Sequence, residues 1–415
     1  MSQTLMNTKL DQFRSKLTPS KVKIDQTLLD QADAYLNGRE FPTRRDEFWK
    51  YTRLTKISNL EVNVNASIIQ SVPEEAIINP NAQKIVFENG VYRKDLSDDI
   101  HQVSGIEFKE KGNSNFKFQE DVFYALNYKY STDAITIDIE SKTILKDPIH
   151  LIMISTGQGS VSMPRIAINA AKFSESEFIV STHDVNSQNC LSNVVIEADV
   201  HENAKLTINK IQNEKSSNFS VFNERVDQAL NSCFTINTLT LNGSWIRNNV
   251  RINVKGQNAE THLMGAYVTN ENQHLDNHTL IDHLAPNCQS NELYKGVLDG
   301  KSTGVFNGKV FVRKDAQKIN AFQSNGNVLL SDDATINSKP ELEIYADDVK
   351  CSHGSTTGQL DEDAVYYLRT RGLSEKSARH LLVAAFIGDV LEKIEDEHVV
   401  KYAENALSKR YGWSF

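Results

Sequence analysis

The sequence has few of the features that mark secreted or membrane-spanning proteins. Its 415 residues include only four cysteines, Cys190, Cys233, Cys288 and Cys351, which lie far apart and form no Cys-x-x-Cys pair. A secreted disulfide framework is usually dense in cysteine, so reduced thiols are expected here. No apolar run approaches the ~20 residues that cross a bilayer. The N-terminus also lacks the charged-then-apolar pattern of a signal peptide.

Basic residues are also outnumbered by acidic ones, 45 to 54. The net charge is −9 and the pI is about 5.7, whereas a nucleic-acid-binding protein needs a basic face. Apolar residues make up 39% of the chain and charged residues 24%, which is enough for a sizeable core. The composition therefore predicts a cytoplasmic protein with neither a membrane nor a nucleic acid as its partner.

The hydrophobic pattern changes twice along the chain. Residues 1–83 are mainly helical by pattern, with Leu10, Phe13 and Leu17 at three- and four-residue spacing. Residues 84–350 instead alternate apolar and polar side chains, which is typical of strands with two different faces. The clearest alternations are Ile135, Ile137 and Ile139, Leu206 and Ile208, Phe234 and Ile236, and Val250, Ile252 and Val254.

So many short strands in succession leave three architectures open: a sandwich, a barrel or a stacked solenoid. We predict turns at Asn307-Gly308, at Asn325-Gly326 and over residues 337–340. Their irregular spacing suits the coils of a β-helix. Asparagine-rich strands are also easier to place on the outside of a stack than inside a two-sheet sandwich. The pattern therefore favours the solenoid.

Residues 351–415 return to a helical pattern. Asp361 is the expected N-cap of one helix, Gly372 lies just past its end, and Ser374 caps the next helix. The second helix carries a wide apolar stripe, which predicts packing or a partner-binding surface. The members of this stripe are Ala378, Leu381, Leu382, Ala385, Phe386, Val390 and Ile394.

The segment from Gly296 to Ser302 resembles a phosphate-binding P-loop but fails its requirements. Three residues rather than four separate its glycines, and the pattern after it predicts a strand instead of the required helix. We therefore predict no nucleotide phosphate site at this segment.

A cysteine and a histidine two residues apart form the most interesting candidate site. If the segment is extended, Cys351 and His353 share one face, with backbones ~6.6 Å apart. Thiolate and imidazole suit iron, zinc or copper, but two ligands make only half a site. His283 and Cys288 form a weaker candidate pair. For all four residues structural packing is the competing interpretation, and a Cys–His nucleophile lacks an evident oxyanion hole.

Eight segments at both ends and in the middle of the chain form a recognisable set: Pro42–Tyr51, Leu293–Lys301, Gly304–Lys309, Pro340–Asp348, Val349–Gly354, Gly358–Asp361, Tyr367–Gly372 and Val390–Ile394. Together they resemble the SufB/SufD family of iron–sulfur cluster assembly proteins. Where SufB members of this family read Glu-His-Glu-Ala-Thr, this chain reads Cys-Ser-His-Gly-Ser from Cys351. The resemblance is therefore to the SufD branch.

The resemblance implies a mostly β fold, with a right-handed parallel β-helix core between an N-terminal helical region and a C-terminal α-helical domain. It implies a non-catalytic scaffold subunit that pairs through the β-helix with a SufB-like paralogue. A SufC-like ABC ATPase would bind the C-terminal helical domain, around Leu381 and Phe386. A transient iron–sulfur cluster or iron would be held between the paralogues, with His353 as a ligand and Cys351 beside it. The family is also linked to a reduced flavin, for which no residue here indicates a site.

Two other functions remain open at this point. A carbohydrate-active β-helix enzyme would need a carboxylate cluster or a basic groove along one face, and acid pairs such as Asp332-Asp333 and Asp347-Asp348 are candidates for the cluster. Neighbouring acids in a strand point apart, and at turns they are usually solvated. A purely structural adaptor is the second alternative, in which Cys351 and His353 only pack.

Overall fold

A computed structural model describes residues 8–413 apart from residues 21, 23, 64–67, 113–115 and 216. The described chain contains seven α-helices and twenty strands, together with 3-10 turns at Glu47–Trp49, Glu74–Ala76 and Ile100–Gln102. The helices are α1 Lys9–Arg14, α2 Gln26–Leu36, α3 Thr55–Ser58, α4 Val122–Tyr130, α5 Glu362–Thr370, α6 Glu375–Leu391 and α7 Glu397–Tyr411.

The strands form two sheets, here called sheet A and sheet B. Sheet A has the order β2 Val91–Tyr92, β1 Gln83–Glu88, β5 Ile149–Gln158, β8 Glu175–Gln188, β10 Lys205–Asn213, β12 Cys233–Asn242, β14 Glu260–Thr269, β16 Gln289–Leu298, β18 Ile319–Leu329 and β20 Val349–Gly358. Sheet B has the order β19 Thr335–Ile344, β17 Thr303–Val312, β15 His274–His283, β13 Trp245–Val254, β11 Phe219–Gln228, β9 Leu191–Val200, β7 Pro164–Ala170, β4 Asp133–Ile139 and β3 Ile106–Glu110, with β6 Val161–Ser162 beside β9.

The chain winds between the two sheets as a parallel β-helix. From β8 onward each strand pairs in parallel with the next strand but one, so successive strands fall in opposite sheets. Inner side chains of both sheets form one continuous apolar core, from Ile85 near the start to Ile319 near the end. The predicted β-helix core with helices at both ends is therefore confirmed.

The turns of the β-helix lie elsewhere than the sequence predicted. Asn307-Gly308 and Asn325-Gly326 lie inside β17 and β18, and residues 337–340 lie inside β19. Lack of space explains Gly308, where a Cβ would clash with Nε2 of Gln323. The real corners instead use residues with left-handed backbone angles, a conformation that asparagine tolerates. One corner repeats from coil to coil at Phe173, Asn203, Asn231, Asn258, Asn287 and Lys318.

The prediction that asparagine-rich strands face outward was also wrong. Asn248, Asn277, Asn325 and Asn327 are buried, and their side chains are hydrogen-bonded to one another or to their neighbours. For example, the Asn248 amide donates to Oδ1 of Asn277 at 2.9 Å. A buried amide is tolerated when such partners satisfy it, and the stack supplies them from adjacent coils.

Helical segments cover the outer faces of the two sheets. Helices α1–α4 pack with the outer side of sheet B, and α4 is a helix that the pattern did not predict. Helices α6 and α7 pack on the outer side of sheet A through Val383, Ile387, Val399 and Leu407, and α7 was likewise not predicted. The predicted caps Asp361 and Ser374 are confirmed.

Of the predicted apolar stripe, Ala378, Val390 and Ile394 are buried, whereas Leu381 and Ala385 are exposed. Phe386 packs above Gly326 of β18 and beneath the Lys295 ammonium, 4.5 Å from its ring centre, while Leu381 is 41% exposed. β20 continues to Gly358, so the C-terminal helices begin at Glu362. In the part of the chain that the structure describes, no helix combines the length and apolar character needed to span a bilayer.

Candidate functional site

The last strand of sheet A carries the two main candidate residues. β20 pairs with β18, placing Cys351 opposite Ala321 and His353 opposite Gln323. Among the described strands none pairs with the other edge of β20. The extended conformation assumed for Cys351 and His353 is confirmed, so both side chains lie on one side of the strand, two residues apart.

That shared side faces the interior of the last coil. Cys351 packs against the apolar core, and the Ser355 hydroxyl lies 2.7 Å from the Ser338 hydroxyl of the facing strand β19. His353 lies between them in the alternation and therefore points the same way. Because no further coil covers it, His353 is exposed and Cys351 is half-buried. The two side chains thus line the open end of the β-helix.

A row of polar residues continues inward from His353. Gln323 is its neighbour on β18, and Glu292 is the next residue of the row on β16. The Gln323 amide donates to Glu292 at 2.8 Å, and the Thr279 hydroxyl donates to the same carboxyl group at 2.5 Å. Burial raises the pKa of Glu292 to about 7, against the lowering effect of these two hydrogen bonds. Burial thus shifts the titration of this carboxyl group toward neutral pH, two strands in from β20.

Cys351 is poorly suited to act without a metal. Its partial burial raises the pKa of the thiol above the ordinary value, so the thiolate is scarce at neutral pH. A bound cation reverses this preference, because a coordinated thiol loses its proton. A thiol with this raised pKa therefore suits the role of a metal ligand better than that of a free nucleophile.

The weaker candidate pair lies elsewhere. Nε2 of His283 is 3.0 Å from the Ser290 hydroxyl, and burial lowers the pKa of His283 to about 4. Cys288 is buried just before β16, and its sulfur lies 3.2 Å from the Gly256 carbonyl oxygen. Two strand spacings separate the start of β16 from β20, about 10 Å. The structure therefore does not bring this pair together with Cys351 and His353.

A cavity of about 680 Å³ lies between sheet B and the N-terminal region. Aromatic and charged side chains line it, among them Phe48, Phe311 and Arg313. Arg313 pairs with Asp282 at 2.8 Å, and Lys309, also in the lining, pairs with Glu343. These two cations of the lining are thus compensated by carboxylates of the same chain.

A family model described as the SUF system FeS cluster assembly, SufBD core domain, matches residues 153–386, more than half of the chain. The chain belongs to the SufBD family. The matched span begins within β5 and ends within α6, so it takes in most of the β-helix, including β20 with Cys351 and His353.

Full-length relatives agree with this membership. A SufBD family protein of Synechocystis sp. is 32% identical over 385 residues, covering 86% of this chain and 85% of the relative. The iron–sulfur cluster assembly protein SufD of Escherichia coli is 27% identical, with 86% of each chain covered. The chloroplastic protein ABCI7 of Arabidopsis thaliana is 27% identical, covering 94% of this chain and 86% of its own length. The chain is therefore a SufD homologue that acts in iron–sulfur cluster assembly.

Sequence reasoning missed the surroundings of the site in this SufBD protein. The inward row through Glu292 and Gln323 became visible only with the register of three strands. A recurring spacing of polar residues on inner faces was the available signal, but the pattern was interpreted as outward-facing. Four exposed apolar side chains near the open end were also missed: Phe322, Leu330, Ile344 and Tyr345.

Proposed function

We propose that this chain is the SufD-type, non-catalytic scaffold subunit of a cluster assembly complex. Its open end pairs with a SufB-like paralogue, and a nascent iron–sulfur cluster or iron is the cargo held at that interface. The observation that carries the proposal is the position of His353: an exposed imidazole on the strand that ends the β-helix, with a half-buried thiol on the same side.

Partner pairing is supported by the two free strand edges. β19 ends sheet B and β20 ends sheet A, and no other described strand satisfies their outer backbone groups. An unpaired edge is a template for strand addition from another chain. Ile344 ends β19 and Tyr345 follows it, and the two residues are 38% and 57% exposed. A partner's terminal coil would extend both sheets and cover these side chains.

The ligand role is supported by chemistry rather than by a complete site. Imidazole and thiolate are suitable ligands for iron, and His353 with Cys351 provides two of the four positions usual in a cluster site. The remaining ligands come from the paralogue across the free edge. This division explains why the single chain carries only half a site at its open end.

Docking of a SufC-like ATPase is proposed for the outer surface of the C-terminal helical domain. Phe386 packs against the β-helix and is not free for this role. The exposed apolar side chains of the domain are Tyr366, Tyr367, Leu373 and Leu381. These residues surround the turn between α5 and α6 and replace the surface centred on Phe386.

Three further predictions concern the location of the protein, a reduced flavin and the carbohydrate-active alternative. We keep a cytoplasmic location, and the family's link to a reduced flavin stays without an assigned residue. The acid pairs behind the carbohydrate-active alternative lie in turns, Asp332-Asp333 before β19 and Asp347-Asp348 before β20. This position agrees with solvated turn residues, and the scaffold remains the better proposal.

The test is assembly of the complex with and without the imidazole. The chain is co-expressed with its SufB-like and SufC-like partners, purified without oxygen, and supplied with iron and sulfide. We expect the wild-type complex to develop the absorption of thiolate-bound iron and the His353→Ala complex to lose most of it. The imidazole is exposed, so the substitution should leave folding and complex formation intact.

Ser352→Ala is the matched control, because Ser352 lies on the same strand and points to the opposite side. It should keep the full absorption. Equal absorption from the wild type and a Cys351→Ala, His353→Ala double variant would overturn the ligand role and favour the structural adaptor. Failure to recover either partner would overturn the proposed complex.

A further inference from the structure

A second group of metal-binding side chains lies on the outer face of sheet A, away from the open end. Cys233 is the first residue of β12 and Glu260 the first residue of β14, and the two are directly paired across the ladder. His262 is two residues further along β14, on the same side as Glu260. The register of two adjacent coils therefore places a thiol, a carboxylate and an imidazole side by side.

The distances are short enough for one ion. One donor atom from each of the three side chains lies within 4.8 Å of the other two. Nε2 of His262 is 3.7 Å from Oε2 of Glu260, and bonds of about 2.1 Å to a tetrahedral ion separate two donors by about 3.4 Å. Small side-chain rotations close the remaining gap. Within the described chain, this is where three such donors come together.

The side chains are reachable and the local charge favours a cation. The Glu260 side chain is 53% exposed and that of His262 27%. Lys205 is the β10 neighbour of Cys233, but its ammonium is held 3.1 Å from Glu175 and 3.9 Å from Glu395. Two carboxylates thus compensate this ammonium, and Glu260 adds a further negative charge beside the thiol.

We propose that Cys233, Glu260 and His262 form a site for one divalent transition-metal ion of the zinc class. Sulfur, nitrogen and carboxylate oxygen together are a donor set that such an ion accepts with tetrahedral geometry, and water takes the fourth position. The site is separate from Cys351 and His353, which lie three strands further along sheet A and on its inner side. It needs no partner chain, because all three protein ligands come from this chain.

A bound ion would link two adjacent coils near the edge of the C-terminal helical domain. Glu395, 3.9 Å from the Lys205 ammonium, belongs to the segment between α6 and α7. Because binding to the folded state stabilises it by mass action, the ion should raise the unfolding temperature of the full chain. This effect provides a readout that does not depend on cluster assembly.

Cobalt(II) binding to the reduced full chain tests the site, because a cobalt–thiolate bond gives a near-ultraviolet charge-transfer band. We expect one equivalent of Co²⁺ to develop this band together with the visible bands of tetrahedral cobalt, and Zn²⁺ to abolish both. Cys233→Ser should lose the thiolate band, and His262→Gln should weaken binding at least tenfold. Cys351→Ser is the matched control and should retain the full spectrum.

Folding is checked in the same samples by thermal unfolding. We expect Zn²⁺ to raise the unfolding temperature of the wild type and of Cys351→Ser, but not that of His262→Gln, whose partly exposed side chain is not part of the core. A thiolate band that survives in Cys233→Ser, or its absence from the wild type, would overturn the assignment.

Discussion

The two ends of the β-helix are finished in opposite ways. At the start, β1 is paired with the antiparallel strand β2, and β4 is paired with the antiparallel strand β3. Phe87, Ile106 and Phe108 bury their side chains in the first coil. Reversed strands therefore cover both edges of the first coil and close the apolar core.

No described strand covers the other end. The inner side chains of β19 and β20 are half-buried or exposed, although Ile336, Leu342 and Val349 still pack against the core. Free parallel edges invite unwanted pairing, and monomeric proteins usually blunt or cover them. This difference between the ends supports the proposal that the open end binds a partner.

The buried acids near the two ends differ in the same sense. At the closed end the Glu88 carboxylate is paired with Arg93 and also accepts the Ile69 amide at 2.8 Å. In the row behind the open end, Glu292 has only the amide of Gln323 and the hydroxyl of Thr279. The acid at the closed end is thus stabilised as a carboxylate in an ion pair, whereas burial without a cation raises the pKa of Glu292.

The largest expected effect is on the free energy of unfolding, which a substitution at the closed end should lower more than one at the open end. Phe87→Ala removes a fully buried ring from the closed end and should lower the free energy of unfolding by about 3–5 kcal/mol. Leu342→Ala at the open end should cost no more than about half of that, because its side chain is only partly buried in the single chain. Denaturant unfolding of the isolated chain measures both.

The comparison also predicts how binding of the partner changes the stability cost of each substitution. Leu342→Ala should become more costly in the complex with the paralogue, while the cost of Phe87→Ala should stay the same. Equal costs of the two substitutions in the isolated chain would mean that the open end is already as well packed as the closed end.

The next effect is a pH dependence carried by Glu292. Burial raises its pKa to about 7 from an ordinary value of 4.5, so between these pH values the unfolded chain releases a proton that the folded chain keeps. Stability is therefore lost as the pH rises from about 4.5 to 7, by an amount on the order of 3 kcal/mol. Glu292→Gln should remove this part of the pH dependence.

The variant can keep the hydrogen bonds of the row. Oε1 of Gln323 is buried without a described hydrogen-bond partner, and the new amide at position 292 can donate to it once the Gln323 amide rotates. We expect the variant to gain stability over the wild type from pH 5 to pH 8. The free energy of unfolding at a series of pH values measures this, and a constant difference between the two proteins would contradict the raised pKa.

The same contrast explains what the sequence could predict. Strict alternation in β4, β10, β12 and β13 identified strands, because one face of each contacts an apolar core. Helix caps such as Asp361 were predictable because capping is a local interaction. The helices α4 and α7 were missed, and α4 is buried on nearly all sides, so it shows no amphipathic stripe.

Properties that depend on stacking could not be obtained from one coil. Asn203, Asn231 and Asn258 share a corner, and the side-chain amides of Asn231 and Asn258 each donate to Oδ1 of the preceding asparagine at 3.0 Å. In the sequence they are separate asparagines, while Asn325-Gly326 is the stronger local turn signal and lies in a strand. Likewise, Cys233 and Glu260 became neighbours only through strand register. Cys351 and His353 were found because both lie on a single strand.

The smallest expected effect tests whether the free edge of β20 is a binding surface. Thr357→Lys adds a charge to the inner side of the exposed strand, a position that natural proteins use to prevent edge pairing. The isolated chain should change in stability by no more than about 0.5 kcal/mol, because Thr357 is exposed. Binding to the SufB-like partner should weaken about tenfold, or ~1.4 kcal/mol.

Ser352→Lys carries the same charge on the outer side of the strand and should bind more tightly than Thr357→Lys. If both variants bind like the wild type, β20 is not the partner surface, and the asymmetry between the two ends would need another explanation.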